Sequence, residues 1–281
     1  MPDGLTITPS AGALGAEVRG VSLGDIDDEM FAHLEGLLSE RLVLFFPAQH
    51  LAPDQHRAFA ARFGEMEIHP FIPKLDVDHP EIAVLRSSQG GIADVWHTDV
   101  TWAASPPLCS VLHVQLLPEH GGDTMWSNQH LVYEALSAPM RDMLSGLTAV
   151  HNAAVFGHPE NQAEHPVVRS HPVTGRPSLF VNRQFTTRIP QLSSGESAAM
   201  LQYLYAFSEQ AQFSCRHRWS EGDIGIWDNR ATQHYVVNDY DGERVIHRVT
   251  ILGDHPEPAF DTTRWPTHTV RRLSAAAIEQ R

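Results

Sequence analysis

The chain contains only two cysteines, Cys109 and Cys215. Two thiols make no disulfide framework, so a reducing compartment is expected. Long apolar runs are missing too: none reaches the roughly 18 to 20 residues needed to span a bilayer. Met1-Pro2-Asp3-Gly4-Leu5 lacks the basic and apolar regions of a secretory leader. The expected setting is therefore the cytoplasm, with no membrane partner. Basic residues are few beside acidic ones, 20 Lys and Arg against 34 Asp and Glu, for a formal charge of −14. A chain of that sign repels phosphate backbones, which argues against general nucleic-acid binding. Any site for a small anion must be built locally from a few basic groups. Tandem repeats, low-complexity tracts and long linkers are also lacking.

The 281 residues are 42% apolar, enough for a sizeable core, and β-rich chains of this length commonly form one domain. A single domain spanning 1–281 is expected. Eighteen histidines are present, so no single histidine carries weight. Leu5–Thr8 and Ala16–Val21 read as two short strands about a Gly-rich turn. Met30, Phe31, Leu34, Leu37 and Leu38 fall at helical spacing after Asp27-Asp28. Leu42–Phe46 is an apolar run closed by Pro47 and reads as a buried strand. Pro53-Asp54 opens a second helix through Phe63. Short apolar runs then recur at 82–86, 108–116, 178–182, 223–227 and 245–252, interrupted by helical stretches near 129–145 and 194–208. The pattern predicts a mainly β fold with flanking helices, a jelly-roll double sheet. Residues 153–170, rich in His, Pro, Asn and Glu, read as a surface loop and lid.

Two short segments distant in sequence carry the chemistry. Trp96-His97-Thr98-Asp99 offers an imidazole and a carboxylate one residue apart, which share a face if the segment is extended. Trp227-Asp228-Asn229-Arg230-Ala231-Thr232-Gln233-His234 offers a second imidazole. Two histidines and one carboxylate on one face of an octahedral ion leave three positions open, the pattern of non-haem Fe(II) oxygenases. A structural zinc site would close all four of its positions, often with cysteine. His-x-Asp alone equally describes a solvated turn closed by an Asx hydrogen bond. If 244–252 is a strand, Arg244, Ile246, Arg248 and Thr250 share one face. Two guanidiniums turned inward are costly unless each meets an anion, and a guanidinium grips a carboxylate or sulfonate through paired donors. Turned outward, the same face would meet water or acidic side chains.

Beyond these residues, Gly121-Gly122-Asp123-Thr124, Phe180-Val181-Asn182 with Phe185-Thr186-Thr187-Arg188-Ile189, and Trp227 through Tyr235 with Asn238-Asp239-Tyr240 carry a family likeness. From about residue 5 to 255 the chain resembles the taurine dioxygenase family of Fe(II)- and 2-oxoglutarate-dependent dioxygenases, which includes alkylsulfatases and phenoxyalkanoate dioxygenases. The resemblance implies a double-stranded β-helix, iron on His97, Asp99 and His234, and 2-oxoglutarate held at its distal carboxylate by Thr124 and Arg244. It further implies that Arg248 and His69 meet the anionic head of the substrate, with Phe185 and Phe156 as walls of that pocket. With O2 as oxidant, such enzymes hydroxylate the carbon next to a heteroatom, and the product collapses to an aldehyde with release of sulfite or sulfate. A homodimer or homotetramer is implied as well, and no feature of the sequence decides between them.

Three departures bear on the substrate. Ile72 and Ala93 stand where the taurine enzymes carry a tyrosine and an asparagine, and the stretch between His151 and Pro166 is shorter. Losing polar partners disfavours a small zwitterion and favours an apolar body, so a small anionic substrate such as an alkyl sulfonate or sulfate ester is expected. The alternatives are a phenoxyalkanoate dioxygenase, a zinc-type hydrolase using the same three ligands, and a metal-free β-sandwich binding protein.

Overall fold

The computed structural model describes residues 4–90 and 93–269, so Met1–Asp3 of the N-terminal stretch lie outside it. A hairpin of β1 (Thr6–Pro9) and β2 (Ala16–Arg19) leads into α1 (Asp28–Arg41). Asp27 caps α1 by accepting from the Met30 N–H, and Leu42 ends it at φ 64°. Then follow β3 (Val43–Phe46), α2 (Pro53–Ala61), β4 (Ile82–Arg86), β5 (Cys109–Leu116) and β6 (Thr124–Asn128). After α3 (Gln129–Ala135) and α4 (Ala138–Leu144) come β7 (Thr148–Ala153), β8 (His158–Pro166), β9 (Val168–Ser170), β10 (Pro177–Leu179) and β11 (Thr186–Arg188). The chain continues with α5 (Ser194–Ser208), β12 (Ser214–His217), β13 (Ile224–Asp228), β14 (Thr232–Val236) and β15 (Val245–Ile251).

Seven strands form the larger sheet in the order β1-β2-β3-β13-β5-β15-β4, and β12-β6-β14 form a smaller sheet. Together they make the jelly roll that the alternating short runs predict. Period-2 alternation explains why β3 is apolar throughout. Val43 and Phe45 join Leu112, Trp126, Trp219, Trp227 and Ile246 in a core drawn from both sheets. Leu44 and Phe46 face the other way, to Leu34 and Leu38 of α1 and Phe59 of α2. A strand covered on both faces has no polar side to show. A third core packs α3 and α5 on the β7–β10 region. Each fully buried Leu, Ile or Phe contributes on the order of 1.5–3 kcal/mol of burial before entropy is subtracted.

Two expectations need correction. The helical stretch 129–145 is two helices, broken where Leu136 turns extended (ψ 147°) and Pro139 begins the first turn of α4, the one helical position that suits proline. Residues 153–170 are not a loop. After one 3-10 turn (Ala154–Phe156), β8 pairs antiparallel with β7 at the edge of the sheet β11-β7-β8. Its charges and Pro159 suit an edge strand that must resist further pairing, and that composition resembles a loop. Among the described residues, no helix is long and apolar enough to cross a membrane.

Candidate active site

His97 and His234 are locked together through the backbone. They form an isolated antiparallel bridge, each N–H donating to the other's carbonyl at 3.1 and 2.7 Å. The extended strand expected at 97–99 is absent: beyond this bridge the chain turns, with Val100 at φ 53°. Asp99 opens that turn, with its carboxylate beside the His97 ring. The ligand atoms of His97, Asp99 and His234 lie within 4.8 Å of one another, the only such group of three among the described residues. The two free cysteines are not part of it.

The protonation states suit metal binding. His97 donates Nδ1–H to the Val95 carbonyl at 2.7 Å, which leaves the Nε2 lone pair facing Asp99 Oδ1 at 3.6 Å. His234 Nε2 lies 3.9 Å from the same oxygen. Burial, reinforced by His97, holds the His234 pKa well below its usual value, so this ring is a neutral ligand. Burial pushes the Asp99 carboxyl up, but Arg248 and the two imidazoles more than reverse it and keep it a carboxylate. Arg248 Nη1 donates to Oδ1 at 2.8 Å and Ser110 Oγ to Oδ2 at 3.2 Å. Three candidate ligands, with no fourth grouped with them among the described residues, would leave open positions, as catalytic rather than structural metals require.

A second buried basic group is Arg244. Arg244 sits just before a bulge between Val245 and Ile246, is 3% exposed, and has no partner for Nε. Burial lowers its pKa to about 10, with Tyr240 and Asp123 partly offsetting. Its Nη2 reaches Thr124 Oγ1 only at 3.5 Å. Trp219 Nε1–H donates to that same oxygen at 2.9 Å, so the Thr124 hydroxyl is free to donate elsewhere. Gly225 makes room for Trp219, since a Cβ there would stand 2.5 Å from the indole. A buried guanidinium with one N–H unpaired and only a long contact at another, beside a free hydroxyl donor, fits a carboxylate.

A cavity of about 470 Å³ opens beside His97 and Asp99. Its polar lining includes His97, Asp99, Arg248 and His69, with Arg86, Gln89, Asp94 and Gln184. Burial, then Arg248, lowers the His69 pKa to about 4. Its Nδ1 accepts from the Phe71 N–H at 3.2 Å, so the neutral ring has Nε2–H to donate. The rest of the wall is mainly apolar, with Ile72, Pro73, Val84, Leu85, Val95 and Val155. Phe156 and Phe185 stack at 6.3 Å on one side, and Ala93 also faces the cavity. Of the residues singled out in the sequence, His69, His97, Asp99, Phe156, Phe185 and Arg248 line this cavity, His234 joins His97 and Asp99, and Thr124 and Arg244 meet each other. The sequence reading missed Ser110, Asn182, Trp219 and Asn229. Asn182 holds the Phe185 N–H at 2.9 Å, and Asn229 holds Asp99. Asn182 and Asn229 stood inside the motifs without a role, whereas nothing in the sequence links Ser110 or Trp219 to the site.

A jelly roll that converges two imidazoles, a carboxylate and two buried guanidiniums is the architecture of Fe(II)-dependent dioxygenases that use 2-oxoglutarate and O2. The comparisons agree: residues 6–250 match the taurine catabolism dioxygenase TauD, TfdA family, and this chain belongs to it. An alpha-ketoglutarate-dependent sulfate ester dioxygenase of Pseudomonas putida is 36% identical over 275 residues, covering 90% of this chain and 91% of that one. An alkylsulfatase of Acinetobacter baylyi is 36% identical over 299 residues, 98% of this chain and 93% of that one. The crystal structure of a taurine dioxygenase from Burkholderia xenovorans superposes with a TM-score of 0.82 at 36% identity, covering 90% and 92%. The chain is therefore an oxidoreductase with a small-molecule substrate, Fe(II) as its metal and 2-oxoglutarate as cosubstrate.

Proposed function

We propose that this enzyme hydroxylates the carbon next to the heteroatom of an alkyl sulfate ester or alkyl sulfonate with an apolar body, so that the product falls apart to an aldehyde and sulfate or sulfite. The observation that carries the reading is the lining of the cavity: Arg248 and His69 offer an anion receptor in a wall that is otherwise mainly apolar. The names of the relatives from Pseudomonas putida and Acinetobacter baylyi agree with it.

On this reading His97, Asp99 and His234 hold the iron, which supplies the oxidative decarboxylation of 2-oxoglutarate and the hydroxylation of substrate. Thr124 and Arg244 fix the far carboxylate of 2-oxoglutarate. Arg248 pairs with the sulfate or sulfonate, and the neutral His69 adds one N–H donor without adding charge. Holding the head group selects which C–H faces the metal, because placement alone contributes strongly to rate. Phe156 and Phe185 exclude water from the reacting carbon, and the turn at Ala154–Phe156, which lends Val155 and Phe156 to the cavity, acts as the lid. We place these parts in one domain of a cytoplasmic homodimer or homotetramer, with neither nucleic-acid nor membrane partners.

The test is succinate formation across taurine, hexyl sulfate, hexanesulfonate and a phenoxypropionate, with sulfate, sulfite and phenol measured as products. Hexyl sulfate or hexanesulfonate should far exceed taurine; taurine as the best substrate, or phenol release as the fastest reaction, would overturn the reading. Arg248→Ala should weaken substrate binding more than about 30-fold, since removing one partner of a buried charge pair costs about 2–5 kcal/mol. Its consumption of 2-oxoglutarate without substrate should fall much less. Arg244→Leu should do the reverse: the KM for 2-oxoglutarate rises by about 100-fold on the same grounds, while Mn(II) binding measured by calorimetry is little changed.

A further inference from the structure

The ligand carboxylate is held by a device that lies outside the three ligands. Asn229 follows the last residue of β13 and is 1% exposed. Its Oδ1 accepts from the Asp99 N–H at 2.9 Å, and its Nδ2 donates to the Asp99 carbonyl at 3.1 Å. The same Nδ2 also reaches the Pro107 carbonyl at 3.2 Å, and the Asn229 N–H donates to the Leu108 carbonyl at 2.9 Å. A side-chain amide has the donor and acceptor of a peptide group. Bonding both the N–H and the C=O of one residue, it reproduces the exchange that a bonded pair makes in an antiparallel ladder. The real ladder stops one step earlier: His97 bridges His234, and Thr98 Oγ1 donates to the Thr232 carbonyl at 2.8 Å. At Asp99 no backbone strand is opposite, and Asn229 takes its place.

The next residue explains why a clamp is needed. Val100 has φ 53°, in the left-handed region, and is 4% exposed. A β-branched residue there is an outlier, because its side chain crowds the backbone, and such strain persists only where surrounding contacts enforce it. If φ relaxed to a negative value, the plane of the preceding peptide would rotate and turn the Asp99 carbonyl away from Asn229 Nδ2, loosening the hold on Asp99.

We infer that Asn229 is a positioning residue that stands in for a missing strand, holding the strained Asp99–Val100 turn so that the carboxylate meets both imidazoles before any metal arrives. The inference rests on Asp99 being a ligand, as proposed above. It also says that clamp and strain oppose each other, so that removing the strain makes the clamp partly dispensable.

The test reads Mn(II) affinity by calorimetry and melting temperature in the metal-free protein, neither of which depends on turnover. Asn229→Ala should weaken Mn(II) binding about 10- to 100-fold, the cost usual for an outer partner of a ligand. Thr232→Val removes a hydroxyl bonded to the Asp228 carbonyl at 2.7 Å in the same turn, and should lower the melting temperature while leaving Mn(II) affinity unchanged. Val100→Gly and Val100→Ala lose the same packing apart from one carbon, but only glycine relaxes the backbone. Glycine should therefore melt higher than alanine by about 3 °C, the reverse of their order at ordinary positions. Placed on Asn229→Ala, Val100→Gly should recover Mn(II) affinity relative to Val100→Ala. Equal Mn(II) loss in Thr232→Val and Asn229→Ala would overturn the inference. So would Val100→Ala melting at or above Val100→Gly, a comparison that remains available if Asn229→Ala does not fold. Failure of the wild-type protein to bind Mn(II) would instead sink the ligand assignment itself.

Discussion

Asp99→Ala is expected to abolish succinate formation and to weaken Mn(II) binding by well over 100-fold, because even partners outside the ligand set cost about 10- to 100-fold. Its protein should still fold. The replacement removes the oxygen that lies 3.6 and 3.9 Å from the two imidazoles and the acceptor of the Arg248 and Ser110 bonds. In a dry core, stranding Arg248 would cost about 3–5 kcal/mol. Here the guanidinium borders the cavity, where water can replace the lost partner, so the loss of stability should fall below that range. Circular dichroism melting and Mn(II) titration of the same sample separate the two effects. A variant that melts normally and binds Mn(II) as the wild type does would refute the ligand set. His234→Ala should match it in Mn(II) loss.

Acid is expected to unfold the protein at a pH that ordinary enzymes tolerate. Burial lowers the pKa of His56 to about 3, and those of His69, His113, His130, His165 and His217 to about 4. In the unfolded chain these rings titrate near 6.5. Below that value the unfolded state binds more protons than the native one, so stability present above about pH 6.5 is lost as pH falls toward 4. At pH 5 each ring contributes a loss of about 2 kcal/mol, and six approach the roughly 5–15 kcal/mol that a domain possesses. Glu67 works in the other sense: burial raises its pKa to about 7, so the native state takes up one proton early and gains stability as pH falls from 7 toward 4.5. The net expectation, after this offset and some local hydration, is a melting temperature lower by well over 10 °C at pH 5 than at pH 7. Identical melting curves at the two values would show that the rings are not buried neutral in solution.

Much of the architecture was legible because period and punctuation coincide. The apolar face of α5 and the stop at Pro47 mark elements whose local preference agrees with their burial. Residues 153–170 failed for the opposite reason. An edge strand with one solvated face spends its residues on solubility and on blocking further pairing, so β8 has the composition of a loop. The ligand triad was readable from residue type and spacing, and yet the expected geometry was wrong. A strand was invoked to align His97 with Asp99, where the structure has a single bridge at His97 and a turn that begins at Asp99. Nothing local marks Val100 as left-handed, and the Asn229 side chain that bonds the neighbouring Asp99 backbone comes from just beyond β13, far away in sequence. Trp219 was invisible for a related reason: its role depends on the missing side chain of Gly225 across the sheet.

Arg248 lies within β15 and Arg244 immediately before it, and the strand is stitched to both β4 and β5. On the proposed roles, one stiff ribbon sets the gap between the two anions, so cosubstrate and substrate heads keep a fixed spacing whatever the substrate's tail. The tail meets a different stretch of chain, Ile72, Pro73, Ala93 and Val155, none of which contributes to the ruler. Drift in those four positions could retune chain-length preference while oxidative decarboxylation stays intact, which leaves a lineage free to sample new sulfur compounds without first breaking its engine.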